Sequence, residues 1–132
     1  PIDNPLSRVP YAHLDFLNRS CRMYHETQTH LFAHANVDPS LPMSEQKEID
    51  LRWTKLEGPV QHYSGKTLVC GHTRQANGRP LVLPGVVCID TGVYDVDGWL
   101  TCLHLETGEY WQANYRQEVR TGRLETPTES GT

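Results

Sequence analysis

Two short apolar runs in this chain each end in a histidine that is followed by turn-forming residues. The runs occupy residues 31–36 and 68–73, and their histidines are His34 and His72. Apolar runs of this length predict buried strands, and a helix-like stretch separates them. In sheets flanked by helices, ligands bind where strands end and loops begin. Because a neutral imidazole is a common metal ligand, the two histidines predict part of a metal site built from neighbouring strands.

The composition predicts one cytoplasmic domain without nucleic-acid or membrane partners. A chain of 132 residues can bury a single core, and its formal net charge is −4. This acidic balance opposes binding to a phosphate backbone, which favours a basic surface. The sequence has no apolar run of about 18 residues and no signal-peptide pattern, so neither a membrane span nor export is expected.

The cysteines favour a reducing compartment rather than a disulfide framework. They are Cys21, Cys70, Cys88 and Cys102. None shows C-x-x-C spacing, and their apolar neighbours are expected to raise the thiol pKa, so nucleophilic catalysis by cysteine is not expected. The sequence also lacks Gly-rich phosphate loops and a G-x-S-x-G nucleophile elbow. A metal-centred hydrolytic site is the chemistry that remains.

Apolar residues recur at helical steps of three and four in two segments. In the first, over residues 11–26, the stripe consists of Leu14, Leu17, Cys21 and Tyr24. In the second, it consists of Ile49, Trp53 and Leu56. Ser44 is the predicted N-cap of this second helix, and Gly58 followed by a proline is its predicted stop.

Together with the apolar runs, these helices predict an α/β fold that passes into an antiparallel portion, an α+β arrangement. Strands are predicted at residues 29–35, 66–70, 81–83, 86–89, 99–105 and 110–113. Residues 1–10 are predicted to be a linker and residues 11–115 to form one folded part. Residues 116–132 are predicted to be a polar, disordered tail.

Each candidate histidine also has a simpler interpretation. His34 could be a core histidine, but Asn36 tolerates positive φ, which predicts a sharp exit that leaves His34 at the mouth of the strand. His72 could belong to an ordinary turn. Against this, Gly71 permits close backbone approach, and Thr73 offers a hydroxyl that could support a ligating imidazole.

Two further residues could belong to the same site. Asp90 follows a strand and could ligate a metal, although an Asx turn explains it equally well. Lys55 could place a positive charge beside an anionic substrate. From the residues alone, the favoured interpretation is that Lys55 offsets the negative end of a helix.

Several segments resemble the calcineurin-like metallophosphoesterases, and most closely their bacterial serine/threonine phosphoprotein phosphatase branch. The resemblance runs in family order over residues 10–113. The first part of the resemblance lies in residues 11–17, 30–39 and 46–55. Gly71-His72-Thr73 then resembles the family's GHT block, and Ile89-Asp90-Thr91-Gly92 resembles the start of its closing IDTG strands.

The resemblance implies the C-terminal half of a four-layer α-β-β-α sandwich that hydrolyses phosphoserine and phosphothreonine. It implies two divalent metal ions, Mn, Fe or Zn, which activate the attacking hydroxide and stabilise charge on the phosphoryl oxygens. By this likeness His34 and His72 ligate one of the two metals, and Lys55 binds the substrate phosphate. Asn36, Thr73 and Asp90 would support the ligands without binding the metal themselves.

The chain departs from the family pattern in three respects. It lacks the motifs Gly-Asp-x-His-Gly, Gly-Asp-x-x-Asp-Arg-Gly and Gly-Asn-His-Glu, which supply the other ligands and the general acid, so an incomplete centre is expected. The start at Pro1 fits an internal fragment. Asn36 replaces a glycine of the family. Lys55 replaces an arginine that grips phosphate, which predicts weaker phosphate binding.

Two other functions stay open. The chain could belong to a dinucleoside polyphosphate hydrolase of the same fold, or it could be a noncatalytic metal- or phosphate-binding fragment. The expected partner is a phosphoprotein or a small phosphoester. Because a half-domain exposes sheet edges and apolar faces, the isolated chain is expected to self-associate and to be inactive alone.

Overall fold

The strand-forming runs pair into two sheets, which with two short helices make a mixed α+β fold. The computed structural model describes residues 5–125. Its helices are α1 (Tyr11–Ser20) and α2 (Glu48–Arg52), with 3-10 turns at Pro5–Arg8 and Met43–Glu45. Its strands are β1 (Tyr24–Glu26), β2 (His30–Ala33), β3 (Thr67–Cys70), β4 (Leu81–Leu83), β5 (Val86–Cys88), β6 (Leu100–Leu103), β7 (Glu109–Ala113) and β8 (Val119–Arg123). Within the described residues, no helix has the length and apolarity needed to cross a bilayer.

The larger sheet has the strand order β1-β2-β3-β5-β4. Its three central strands β2, β3 and β5 are parallel, and β1 and β4 add to the edges in antiparallel orientation. Leu31 of β2 lies in register with Leu68 of β3, which in turn pairs with Val86 of β5. The segments that follow the three parallel strands therefore all begin at the same end of the sheet, where these strands have their carboxyl termini.

One face of this sheet carries the core. Leu31, Leu68 and Val86 are almost fully buried there, and Met43 and Leu51 from the connection between β2 and β3 pack over them. Burying an aliphatic side chain of this size stabilises the fold by about 1.5–3 kcal/mol. Because a shift by one residue would turn these side chains to the opposite face, the cluster fixes the register of the parallel strands.

A buried polar network joins the smaller sheet, β6-β7-β8, to the end of β5. The Thr91 hydroxyl donates to the Trp99 carbonyl oxygen at 2.5 Å and lies 2.6 Å from the Thr101 hydroxyl. Gln112, only 1% exposed, donates to Thr101 Oγ1 at 2.8 Å and to the Gly78 carbonyl oxygen at 2.9 Å. Since Thr91 donates to a carbonyl, Thr101 donates to Thr91, and both hydroxyls have partners. Polar groups this deeply buried need such partners to be tolerated.

The first helix is shorter than the sequence predicts. It ends at Ser20, and Cys21 leaves it with an extended ψ of 141°. Tyr24, predicted to be helical, lies in β1 and packs against the core, whereas Leu17 of the predicted apolar stripe is 54% exposed. Residues 24–26 gain main-chain hydrogen bonds by pairing with β2, and this tertiary pairing overrides the local helical spacing.

The prediction of the second helix is also wrong in the length of the helix and in the face that it buries. Helix α2 begins after Lys47, which has no side-chain cap, so the prediction of Ser44 as the N-cap is wrong. The helix buries Leu51 and leaves Ile49 and Trp53 exposed, so the predicted apolar face is wrong as well. A helix of five residues is too short to be stabilised by its own hydrogen bonds. Contacts with the sheet decide which side chain turns inward.

The predicted strands agree better with the structure. Strands β2 to β5 and the β6–β7 hairpin all lie within or close to the predicted segments. The prediction of a disordered tail is wrong for β8, because these residues pair with the whole of β7. Part of the predicted linker forms a 3-10 turn. The predictions for residues 1–4 and 126–132 lie outside the described residues.

Candidate metal-binding site

The structure brings His34 and His72 together at the carboxyl-terminal end of the parallel strands. His34 directly follows β2, and His72 lies two residues beyond β3. Their ring centroids are 5.0 Å apart, and His34 Nε2 lies 3.2 Å from His72 Nδ1. Because β2 and β3 are neighbours in parallel register, strand pairing brings the two imidazoles together.

Hydrogen bonds decide which nitrogen of His72 carries a proton. Its Nε2 lies 3.1 Å from the carbonyl oxygen of Trp53, which can only accept, so Nε2 carries the hydrogen in the neutral ring. The lone pair of Nδ1 then accepts the hydrogen bond from His34 Nε2. Metal-ligating histidines commonly donate their other ring N–H to a carbonyl in this way. The arrangement therefore presents Nδ1 of His72 as a ligand on the side that faces His34.

The spacing of the two nitrogens suits a single metal ion. Two imidazole nitrogens on one tetrahedral Zn²⁺, with bonds of about 2.0–2.1 Å, lie about 3.3 Å apart. The observed separation of His34 Nε2 and His72 Nδ1 is 3.2 Å. His34 can serve as a ligand through Nε2 once its proton moves to Nδ1, the other neutral tautomer. Donor type and spacing thus both fit a metal.

The pair does not by itself complete a metal centre. Across residues 5–125, no group of three or more His, Cys, Asp or Glu side chains is arranged to hold a metal ion. A structural or catalytic zinc normally has three or four protein ligands. The described residues therefore supply two ligands of a site whose remaining ligands would have to come from other residues or another chain.

His72 adopts a left-handed backbone with φ 62°, and Gln117 is the other non-glycine residue with positive φ in the described part. The sequence placed this conformation at Asn36 instead, and that prediction is wrong because Asn36 is not among the positive-φ residues. Left-handed backbone costs a non-glycine residue about 1–3 kcal/mol and collects at functional sites. Histidine tolerates it better than most residues. The strain thus lies on the candidate ligand itself.

Main-chain carbonyls in and just after α2 hold both histidine segments. The N–H groups of residues 35–36 donate to the carbonyl oxygens of Leu51 and Asp50, at 2.8 and 3.0 Å. The carbonyl of Trp53 accepts from His72, and the Trp53 ring meets the imidazole edge-on with centroids 6.0 Å apart. This role of Trp53 could not be predicted from the sequence, because a main-chain acceptor does not depend on the residue type.

Asn36 and Lys55 contact each other at the outer side of the site. The Asn36 side chain donates from Nδ2 to the Lys55 carbonyl oxygen at 3.2 Å, and its Oδ1 accepts from the N–H of Val37 at 2.8 Å. Asn36 therefore ties the segment after His34 to the segment after α2. The Lys55 side chain is exposed and forms no ion pair with another residue in the range 5–125.

Thr73 and Gly71 flank His72 and have structural partners of their own. The Thr73 hydroxyl accepts from the N–H of Leu56 at 2.8 Å, which accounts for this residue without contact to an imidazole. Gly71 donates its N–H to the His34 carbonyl oxygen at 2.9 Å. The two backbones do approach closely here, as predicted, but a Cβ at Gly71 would lie 3.5 Å from that oxygen, an ordinary contact, so the approach does not depend on glycine.

Asp90 follows β5 and lies at the same carboxyl-terminal end of the parallel strands. Its Oδ1 accepts from the N–H of Gly92 at 3.0 Å, which is the Asx turn that the sequence offered as an alternative. The Asp90 Cβ lies 3.7 Å from the position that a Cβ on Gly71 would take, so the carboxylate stands beside the His72 segment. It completes no three-residue metal group.

Two buried cysteines lie directly behind the His72 segment. Cys70 of β3 and Cys88 of β5 are register partners. A hydrogen bond between the two thiols, together with burial, raises the pKa of Cys70, and the same hydrogen bond lowers the pKa of Cys88 to about 7. The expectation of a raised thiol pKa is correct for Cys70 and wrong for Cys88, because the cross-strand thiol and nearby amide donors favour its charged form.

A comparison of the chain with protein-family models, with curated proteins and with solved structures found no match in any of the three. The interpretation of the site therefore depends on the geometry of its own residues. The central fact of that geometry is a pair of imidazole nitrogens at ligand spacing, one of them oriented by a main-chain carbonyl.

Proposed function

We propose that this chain is the C-terminal part of a metal-dependent phosphoester hydrolase, of the serine/threonine protein phosphatase type. In this proposal His34 and His72 are two ligands of one of two divalent metal ions. The observation that carries it is the 3.2 Å separation of His34 Nε2 and His72 Nδ1, with His72 held through its other nitrogen. Manganese, iron and zinc all accept imidazole ligands.

The fold is compatible with the proposed sandwich. The five-stranded sheet, with β2, β3 and β5 parallel at its centre, would be one of the two sheets of an α-β-β-α arrangement. The candidate ligands follow two adjacent parallel strands, which is where α/β sheets place ligands. Residues that precede this segment in a longer protein would supply the second half of the sandwich and the missing ligands.

Each candidate residue has a separate task in this proposal. When bound, the metal ions would activate water and stabilise negative charge on the phosphoryl oxygens. His34 and His72 would hold one metal, and the Trp53 carbonyl would keep the proton of His72 on Nε2. Lys55 would attract the phosphate through an ammonium without an ion-pair partner in residues 5–125. An ammonium is a point charge and lacks the two-pronged grip of a guanidinium, so weak phosphate binding follows.

The proposal is tested in the longest natural protein that contains this sequence, by hydrolysis of p-nitrophenyl phosphate with added Mn²⁺. His34→Ala and His72→Ala are each expected to lower kcat/KM by more than about 100-fold, since each removes a metal ligand. The matched control is His13→Ala, an exposed histidine of α1, which should keep the wild-type rate. A His72→Ala enzyme within a few-fold of wild type would contradict the proposal. Comparing a phosphopeptide with a diadenosine polyphosphate then separates a protein phosphatase from a dinucleoside polyphosphate hydrolase.

A noncatalytic metal-binding role is the second candidate, and one observation favours it for the chain as it stands. Residues 5–125 contain no third ligand beside the histidine pair. Isothermal titration of residues 1–132 with Zn²⁺ is expected to show one weak site that His72→Ala abolishes. Tight binding of two zinc ions would show instead that the chain holds a complete dinuclear centre.

A further inference from the structure

Cys70 and Cys88 face each other across neighbouring parallel strands. They are register partners, both belong to the core, and they are 3% and 0% exposed. Neighbouring strands lie about 4.8 Å apart, and disulfides join residues whose Cα atoms are about 4.4–6.8 Å apart. Since register partners of a parallel pair also point to the same face, the spacing of the two cysteines lies in the range that a disulfide spans.

The Cys88 thiol also supports the loop that carries His72. In its protonated form Sγ donates to the carbonyl oxygens of Gly71 at 3.5 Å and Thr73 at 3.3 Å. These two residues flank His72, whose backbone is left-handed. The thiol hydrogen thus helps to hold a strained turn, and any reaction that removes it withdraws that support.

The strand that carries Cys70 borders a surface groove that a small oxidant can enter. This groove, of about 430 Å³, has both Cys70 and Gly71 among its lining residues. Hydrogen peroxide is little larger than water. Because both thiols are buried on the core face, a peroxide that enters this groove still has to penetrate the sheet to reach them, and a larger disulfide reagent is excluded.

We propose that Cys70 and Cys88 form a redox modification site, in which a peroxide converts the two thiols to a disulfide behind the His72 loop. Two S–H bonds and the O–O bond of hydrogen peroxide break, one S–S bond forms, and two water molecules leave. Cys88 then has no hydrogen for the carbonyls of Gly71 and Thr73, and the His72 loop becomes more mobile. The disulfide and the change in mobility do not depend on the proposed hydrolase activity.

Formation of the disulfide is tested in a Cys21→Ser/Cys102→Ser background, which removes the two exposed cysteines. Hydrogen peroxide is expected to lower the intact mass by two hydrogens, and dithiothreitol should restore it. Trypsin cleaves after Lys66 and Arg74, so Cys70 leaves in a peptide separate from Cys88 unless a disulfide joins them. The joined peptide is the expected product.

Matched variants keep this test decisive. Cys70→Ala and Cys88→Ala in the same background must each abolish the joined peptide, and circular dichroism shows whether each remains folded. If either variant does not fold, the background protein itself decides the outcome. Its oxidation to sulfenic or sulfinic acid without a joined peptide, or no reaction at all, would overturn the proposal.

The effect on the loop is measured by amide hydrogen exchange of residues 71–73. Oxidation is expected to speed this exchange about five- to tenfold, the factor for losing one hydrogen bond. Cys88→Ala should produce the same increase without oxidant, while residues 110–112 in the smaller sheet should not change. Equal exchange at 71–73 in the reduced and oxidised proteins would refute the claim that the thiol supports the His72 loop.

Discussion

His72 combines two properties that rarely occur in one residue. Its backbone is left-handed at φ 62°, and both nitrogens of its ring are engaged, one by His34 and the other by the Trp53 carbonyl. An ordinary turn would place glycine or asparagine at such an angle, because they adopt it at the least cost. The chain keeps an imidazole there instead. The imidazole of His72 therefore stands at a backbone position that glycine or asparagine would occupy at lower cost.

Two substitutions at His72 should separate the free-energy cost of the left-handed backbone from the effect of removing the imidazole. His72→Asn and His72→Val both remove the imidazole, but valine is a β-branched residue that fits the left-handed region poorly. The valine variant is expected to unfold with a free energy about 1–3 kcal/mol lower than that of the asparagine variant. Urea titration of both variants measures this difference, and equal stabilities would mean that His72 does not hold a left-handed conformation in solution.

At the scale of secondary-structure elements, the connection between β2 and β3 positions the candidate site although it contains only one short α-helix. Helix α2 has only five residues, yet the carbonyl groups of residues 50–55 accept hydrogen bonds from both histidine segments. Next to it, the Val60 main chain runs against the turn that joins β4 and β5 at Gly85. These contacts join groups distant in sequence, and in the hydrogen bonds to the histidine segments every acceptor is a main-chain carbonyl. They explain why the segment is ordered although its helix is short.

The turn at Gly85 should tolerate no side chain, and Gly65 provides a matched control. Both glycines have positive φ, 76° and 72°, but a Cβ at Gly85 would lie 2.0 Å from the Val60 carbonyl oxygen, while one at Gly65 meets nothing within 4 Å. Gly65→Ala is expected to cost about 1 kcal/mol from backbone conformation alone. Gly85→Ala should lower the free energy of unfolding by more than about 4 kcal/mol or prevent folding. Similar urea midpoints for the two variants would contradict the packing at this turn.

Strands β2 to β7 could be predicted from the sequence because their apolar runs carry the signal locally, whereas β1 and β8 lack such runs and are not predicted. The hairpin of β6 and β7 and the parallel strands that end near His34 and His72 all follow from composition and turn residues. The ends of the helices could not be predicted in this way. Tyr24 has helical spacing but lies in β1, because pairing with β2 is a tertiary contact. The Trp53 carbonyl and the left-handed backbone of His72 likewise depend on neighbours distant in sequence.

At the scale of the whole molecule, the outer face of the smaller sheet exposes large apolar side chains beside polar ones. Leu100, Trp111 and Val119 lie on this face and are 60%, 44% and 71% exposed. The two outer strands, β6 and β8, each present an edge without a strand partner in the described part. Exposed apolar sheet faces and open edges favour association with other chains. This agrees with the proposal that the segment belongs to a larger domain.

The isolated chain is accordingly expected to self-associate through this face. Sedimentation velocity should show a mean mass that rises with concentration, and Val119→Lys should reduce the rise, because a charge would have to be buried in the contact. The control is Tyr11→Lys, which replaces an exposed aromatic residue on α1 and should leave association unchanged. A wild-type chain that stays monomeric and melts cooperatively would count against both the face and the half-domain proposal.

The left-handed backbone at His72 also bears on how the site can be lost during evolution. The codons of histidine and asparagine differ by a single base, and asparagine is among the few residues that adopt this conformation at little cost. A single point mutation can therefore remove the imidazole while the turn and the sheet behind it persist. If the proposed metal site exists, lineages that no longer need it can keep the same architecture, and asparagine at position 72 would mark them.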